Sequence, residues 1–230
     1  MYSDPLLHSA ARKTRSKSSL AHDVLRSAII SLKLQPGSRI DKSEICERLG
    51  LSRQPLSEAL ARLAEERLVA VEPQKGTYVT LISLSEVEEA AFVREALEVA
   101  TIRRVAHDID SETIDRLRLI VDYQSAAAAA GDHEEFYLLD VRFHAVLFAR
   151  LALRRVAEVV ESARAHTERI RRLLVPTQRN PATIVEHNVI LAALAKRDGE
   201  SAAEAMRIHL GNVLKGLHKF AAERPELFEP

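Results

Sequence analysis

Glycine and cysteine are scarce in this 230-residue chain, and long apolar runs are missing. Seven glycines leave no room for a phosphate-cradling glycine-rich loop. No Gly-x-Ser-x-Gly or His-Glu-x-x-His motif occurs either, so the common signatures of hydrolases and zinc peptidases are lacking. The single cysteine, Cys46, excludes a disulfide framework and a cysteine-based zinc ribbon. No apolar run approaches the ~20 residues that span a bilayer, and the N-terminus is polar, without a signal-peptide core. A cytoplasmic protein with no membrane partner is expected.

Net charge is zero, but it is unevenly spread. Residues 1–82 carry 13 Lys/Arg against 9 Asp/Glu, and the remainder carries 20 against 24. A front module at +4 and a back module at −4 suit a nucleic-acid reader joined to something else. Residues 1–18, with Arg12, Lys13, Arg15 and Lys17, read as a flexible basic tail.

Residues 19–82 read as three helices and a hairpin. Leu20, Val24, Leu25, Ile29 and Leu32 form a helical stripe that Pro36-Gly37 stops. Ser43 is placed to cap a second helix that ends at Gly50, and Ser52 to cap a third with Leu56, Leu60 and Leu63 on one face. Leu68–Val71 and Thr77–Thr80 read as strands around a turn at Glu72–Gly76. This is the order of a winged helix-turn-helix, whose third helix enters the major groove of double-stranded operator DNA. Ser52, Arg53, Gln54 and Ser57 then face the bases. Lys75 and Gly76 bring the wing to the backbone and the minor groove.

Residues 84–224 show no strand pattern. Ser85-x-x-Glu88 reads as a capping box, Ser111 as the start of a second helix ending at Gly131, and Asp132 as the start of a third. A fourth covers about Arg155–Leu174 and stops before Pro176. Asn180-Pro181 opens a fifth, and Ser201 the last. The expected fold is mostly α: an N-terminal winged helix-turn-helix plus a C-terminal all-α helical bundle.

Within that bundle Asp140, His144, His187 and His209 fall on inward faces. Phe136, Phe143 and Leu147 surround the first pair, which is spaced i,i+4 and so shares one helix face. An unpaired buried polar group costs roughly 1–3 kcal/mol. One divalent cation would satisfy all four; a lone histidine on such a face is otherwise usually a core residue hydrogen-bonded to a backbone carbonyl. A shared metal could be structural, catalytic or ligand-sensing. Zinc is the default, with nickel or manganese as alternatives.

The chain resembles the GntR family of bacterial transcription regulators. The likeness rests on Pro36-Gly37-Ser38-Arg39-Ile40, on Glu44 through Leu60 and on Gly76-Thr77-Tyr78-Val79. The back resembles the all-helical FCD effector domain of the FadR-like branch, through Arg94-Glu95-Ala96-Leu97-Glu98, Asp140-Val141-Arg142-Phe143-His144, Glu186-His187 and Met206-Arg207-Ile208-His209-Leu210. The resemblance implies that Asp140, His144, His187 and His209 are metal ligands and that the domain answers to a small carboxylate effector. Arg94 is the candidate to pair with that carboxylate, although a solvated Arg or a helix pair with Glu98 explains it equally. Asn212 is a second effector candidate. Two departures stand out. Ser57 occupies a recognition-helix position where an Arg is common, and Leu153 one where an Asn is frequent. The reading is a homodimeric transcription regulator, not an enzyme, on a near-palindromic site. The alternative is a metal-dependent enzyme or metal sensor fused to a DNA-binding domain.

Overall fold

The computed structural model describes residues 16–174, 180–212 and 214–230. The chain divides into two compact units. One takes in residues to Ile29 and Lys33–Thr80, and the other Ile30–Leu32 and Leu81–Pro230.

The first unit contains α1 (Lys17–Ile30), α2 (Lys42–Leu49), α3 (Arg53–Glu65) and a hairpin of β1 (Val69–Glu72) and β2 (Gly76–Val79). Residues 1–15 of the expected basic tail lie outside the described residues. Lys17 and Ser18 belong to α1 and not to the tail, because Ser16 Oγ accepts from Ser19 N (3.0 Å) and starts the helix there. Asp41, not Ser43, caps α2, accepting from Ser43 N (2.8 Å) and Glu44 N (3.1 Å). A carboxylate at the N-cap also opposes the helix dipole, which a hydroxyl two residues later does not. Gly50 takes the left-handed conformation (φ 61°) that turns the chain from α2 into α3. Leu56, Ala59, Leu60 and Leu63 of α3 are buried, Ala59 in a cluster with Ala21 and Leu51, and Leu25, Leu68 and Val79 are buried as well. The hairpin pairs Val69 with Val79 and Glu72 with Gly76, one residue further along the first strand than alternation suggests.

The second unit is a bundle of α4 (Leu84–Asp108), α5 (Ser111–Ala130), α6 (His133–Arg150), α7 (Arg154–Leu174), α8 (Asn180–Ala195) and α9 (Gly199–Asn212), followed by the short α10 (Leu217–Glu223). Helix α4 packs on α7 and α9, α5 on α6 and α8, and α8 on α9. Three starts differ from expectation. Helix α4 begins at Leu84, so Ser85 is already helical. Asp110 rather than Ser111 caps α5, accepting from Thr113 N (2.8 Å). Asp198 rather than Ser201 caps α9, accepting from Ser201 N (3.0 Å). Asn180 is the first residue of α8, and the stop expected at Pro176 lies outside the described residues. Ile102, Leu117, Phe136, Phe143, Ile190, Leu194 and Met206 form the dry core. The chain stays packed past residue 224: Ile82 N donates to Leu227 O (2.9 Å), and Phe228 is buried against Ile82 and Leu217.

One polar tie holds α1 to the end of α3. Glu66 accepts from Arg26 Nε (2.8 Å) and meets His22 Nε2 (2.5 Å). Burial alone would raise the Glu66 carboxyl, but Arg26 and His22 more than offset it and hold it below the usual range. A carboxylate depressed in the folded state contributes stability above its unfolded value and loses it as pH falls. Thermal unfolding of wild type and Glu66→Gln between pH 7 and 3 should therefore show a gap that is full above about pH 4.5 and closes below it. A gap independent of pH would contradict the charged tie.

Candidate functional site

Asp140 and His144 lie one turn apart on α6, His187 lies on α8 and His209 on α9, and all four are buried. One ligand atom from each lies within 4.8 Å of the other three. The sequence pattern thus converges in space from three helices.

The surroundings orient these side chains. His144 Nδ1 lies against Glu98 Oε2 of α4. His187 Nδ1 donates to Gln124 Oε1 of α5 (2.8 Å). His209 Nδ1 donates to Glu186 Oε2 of α8 (2.8 Å). Carboxylate and carbonyl oxygens only accept, so each Nδ1 carries the imidazole proton and each Nε2 presents a lone pair. His144 Nε2 and His209 Nε2 stand 3.3 Å apart with no proton between them in the neutral state. His187 Nε2 is buried without a hydrogen-bond partner, 3.6 Å from Asp140 Oδ1. Asp140 Oδ2 accepts from Arg164 Nη1 of α7 (3.1 Å).

This donor set fits a divalent cation. Three imidazole lone pairs and a carboxylate are ligands that zinc and its neighbours accept. Two nitrogens bound at about 2.0–2.1 Å to one tetrahedral ion stand roughly 3.3 Å apart, as His144 and His209 do. The electrostatics agree. Burial lowers His144 to about 4, against a partial offset from Glu98. Burial and the neighbouring His209 lower His187 well below the ordinary histidine range. Both rings are therefore neutral at pH 7, the form that binds metal. Burial would raise Asp140, but the positive charge around it, which at pH 7 is that of the Arg171 and Arg164 guanidiniums, outweighs burial and holds the carboxyl below the usual carboxylate range.

A cleft reaches this centre. Arg94, Asp140, Arg164, Thr167, Glu168, Arg171, Thr183 and His209 line it, around a cavity of about 10 Å³, room for about one water. Arg94 is buried, not solvated. It donates from Nε to Glu98 Oε1 (2.8 Å) and from Nη1 to Thr167 Oγ1 (3.2 Å). Asn212 does not line the cleft; it donates to Glu186 Oε1 (2.8 Å) and so steadies the carboxylate that holds His209.

Sequence reasoning missed Glu98, Gln124, Glu186, Arg164 and Thr167. Gln124 was findable: it interrupts the buried stripe Leu117, Ile120, Val121, Ala127 of α5. Arg164, Thr167 and Glu168 were harder, since a charged stripe reads as a solvated face. Here it turns inward.

In the first unit Ser52, Arg53, Gln54 and Ser57 are all exposed at the start of α3. Ser52 precedes that helix without a side-chain cap bond, and Gln54 Nε2 donates to Glu58 (3.4 Å). Lys75 is exposed at the hairpin tip, 3.3 Å from Glu72. Gly76 follows at φ 139°.

Comparison with known proteins gives consistent matches. Residues 18–79 match the model of bacterial regulatory proteins of the gntR family, and residues 89–212 match the FCD domain. The HTH-type transcriptional repressor RspR of Escherichia coli K12 is 30% identical over 206 residues, covering 89% of this chain and 90% of that protein. An HTH-type transcriptional regulator from an unstable DNA locus of Streptomyces ambofaciens is 34% identical, covering 89% and 86%. Among solved structures, E. coli McbR/YncC superposes with a TM-score of 0.78 at 19% identity, covering 89% and 98%. That likeness concerns the fold.

The ring held by Gln124 offers a direct test. Gln124→Leu removes the acceptor of His187 Nδ1, and loss of such a metal-orienting partner typically costs 10–100-fold in metal affinity. Zinc competition against a fluorescent chelator should show a loss on that order, whereas an exposed control such as Asn188→Leu should show none. Equal affinity in Gln124→Leu and wild type would mean that His187 does not bind metal.

Proposed function

The chain belongs to the GntR family of bacterial regulatory proteins, with an FCD domain behind its DNA-binding domain, and from that premise we propose a homodimeric regulator whose operator affinity is set by a small organic acid bound at a metal in the bundle. The family and the relatives are transcription regulators, not enzymes. GntR regulators bind DNA and FCD domains bind small-molecule effectors.

One observation carries the effector reading: the cleft lined by Arg94, Arg164 and Arg171 opens onto Asp140 and His209. A carboxylate entering there meets guanidinium donors on one side and the metal on the other. Asp140, His144, His187 and His209 would hold the ion, zinc by default, with nickel or manganese accepted by the same donors. When bound, the ion supplies an electrophilic point for a carboxylate oxygen. The chain supplies the rest. Glu98, Gln124 and Glu186 hold the rings in one tautomer, and Arg94 is poised to exchange Thr167 for the ligand. The present cavity is water-sized, so the arginine side chains must move to admit a metabolite. Binding energy is spent on that rearrangement, which gives the ligand a means of favouring one conformation.

On DNA, α3 presents Arg53 and Gln54 to base edges, Arg to guanine and Gln to adenine, with Ser52 and Ser57 beside them and Lys75 and Gly76 on the wing. One such helix covers few base pairs, and a two-fold dimer on a near-palindromic site supplies the missing selectivity.

The test begins with a duplex selected from a randomised pool by the wild-type protein. Arg53→Ala should weaken binding to it by roughly 1–3 kcal/mol. Screening organic acids against the metal-loaded complex should find one that changes DNA affinity and is recovered intact. His209→Ala should keep basal DNA binding and lose that response. Consumption of the acid, or an unchanged response in His209→Ala, would overturn the reading.

A further inference from the structure

The hairpin of the first unit is a three-stranded arrangement in all but length. Arg39 bridges Tyr78 in antiparallel fashion. Ile40 N donates to Thr77 O (2.8 Å) and Val79 N to Ser38 O (2.9 Å). These bonds fix the backbone of Ser38–Ile40 against β2, and with it the origin of the Arg39 side chain.

The side chain runs over Gly76. A Cβ added at position 76 would lie 3.2 Å from Arg39 Nε and 3.6 Å from the Tyr78 ring. The missing Cβ at Gly76 therefore leaves the space in which the guanidinium sits, between the tip of the hairpin and an aromatic ring. Gly76 also adopts φ 139°, which L side chains rarely take. Arg39 is exposed. Among the described residues it makes no ion pair of its own. The acid it influences is Asp41, already committed to Ser43 N and Glu44 N at the start of α2. An exposed guanidinium whose backbone origin is fixed in this way is available to take a phosphate oxygen.

The first turns of α3 carry Arg53 alone, and Lys75 at the tip stands 3.3 Å from Glu72. Duplex DNA carries one negative charge per ~1.7 Å of axis, and a wing that docks on it needs phosphate contacts to set its register.

We propose that Arg39, seated over Gly76 beside the turn of the hairpin, is a DNA-contacting residue that binds a backbone phosphate and sets the position of the wing. The proposal rests on the DNA-binding reading above and adds to it a residue outside α3 and the hairpin tip. A phosphate contact carries no sequence information, so its loss weakens binding to every duplex alike.

The experiment measures fluorescence anisotropy on two probes, the duplex selected from a randomised pool and an unrelated duplex of equal length, across a salt series. Arg39→Ala and Arg39→Gln should bind both probes about tenfold more weakly. The log–log salt dependence should become shallower by about 0.9 for each subunit bound. Arg39→Lys should recover most of the salt slope. Thermal unfolding of each variant establishes that the unit is intact. A folded Arg39→Ala with wild-type affinity and slope overturns the proposal. So does a loss confined to the selected duplex with an unchanged slope, which would make Arg39 a base reader. If the wild type selects no duplex at all, it is the DNA-binding reading that fails.

Discussion

Three imidazoles and a carboxylate meet in the core of the bundle, with one ligand atom from each close to the other three. Every Nδ1 is engaged outward, on Glu98, Gln124 or Glu186, so every Nε2 faces its neighbours as an acceptor. In a low-dielectric interior such an arrangement is unfavourable by itself. Protonating the rings would relieve it, but burial holds His144 and His187 neutral at pH 7. A divalent cation would satisfy these acceptors at once, and the four ligand atoms lie close enough together to share one. The rest of the bundle follows from that constraint, because each of its six long helices sends a polar side chain to this centre: Glu98 from α4, Gln124 from α5, Asp140 and His144 from α6, Arg164 from α7, His187 and Glu186 from α8, and His209 from α9.

Helix α7 pays for this arrangement most visibly. Its buried face includes Arg164, Thr167, Glu168 and Arg169 beside only Val160, Ala165 and Ile170. Pairing limits the desolvation cost: Glu168 accepts from Arg171 Nε (2.7 Å) and Arg172 Nε (2.9 Å), and Asp140 from Arg164. A face of this kind stabilises the fold less than leucines would. What it provides is a set of guanidiniums beside the candidate metal ligands, the feature on which the proposed anionic effector rests. Arg94 is held at the cleft wall by Glu98 and Thr167.

Much of this was legible in the residues. The helical stripes with glycine stops, the order helix, helix, helix, hairpin, and the inward position of Asp140, His144, His187 and His209 follow from period and spacing alone. Helix starts were less legible, because aspartate and a nearby serine offer rival caps. Asp41, Asp110 and Asp198 take the cap because a carboxylate accepts from the first amides and opposes the dipole as well. The supports of the metal ligands were least legible. Glu98 read only as the helix partner of Arg94, which it is, and not as the partner of His144, and Glu186 sits beside His187 yet serves His209, which lies 23 residues on. Such partnerships depend on which helices meet, and local period carries no information about that.

The central claim is that the buried centre holds one metal ion that the bundle needs. Metal content by inductively coupled plasma mass spectrometry, on protein purified without chelator or metal-affinity tag, tests it most directly when paired with thermal unfolding before and after metal removal. The account predicts close to one divalent ion per chain, a lower melting temperature once it is removed, and recovery when zinc, nickel or manganese is returned. Metal content near zero, with a melting temperature that none of the three ions changes, would contradict it.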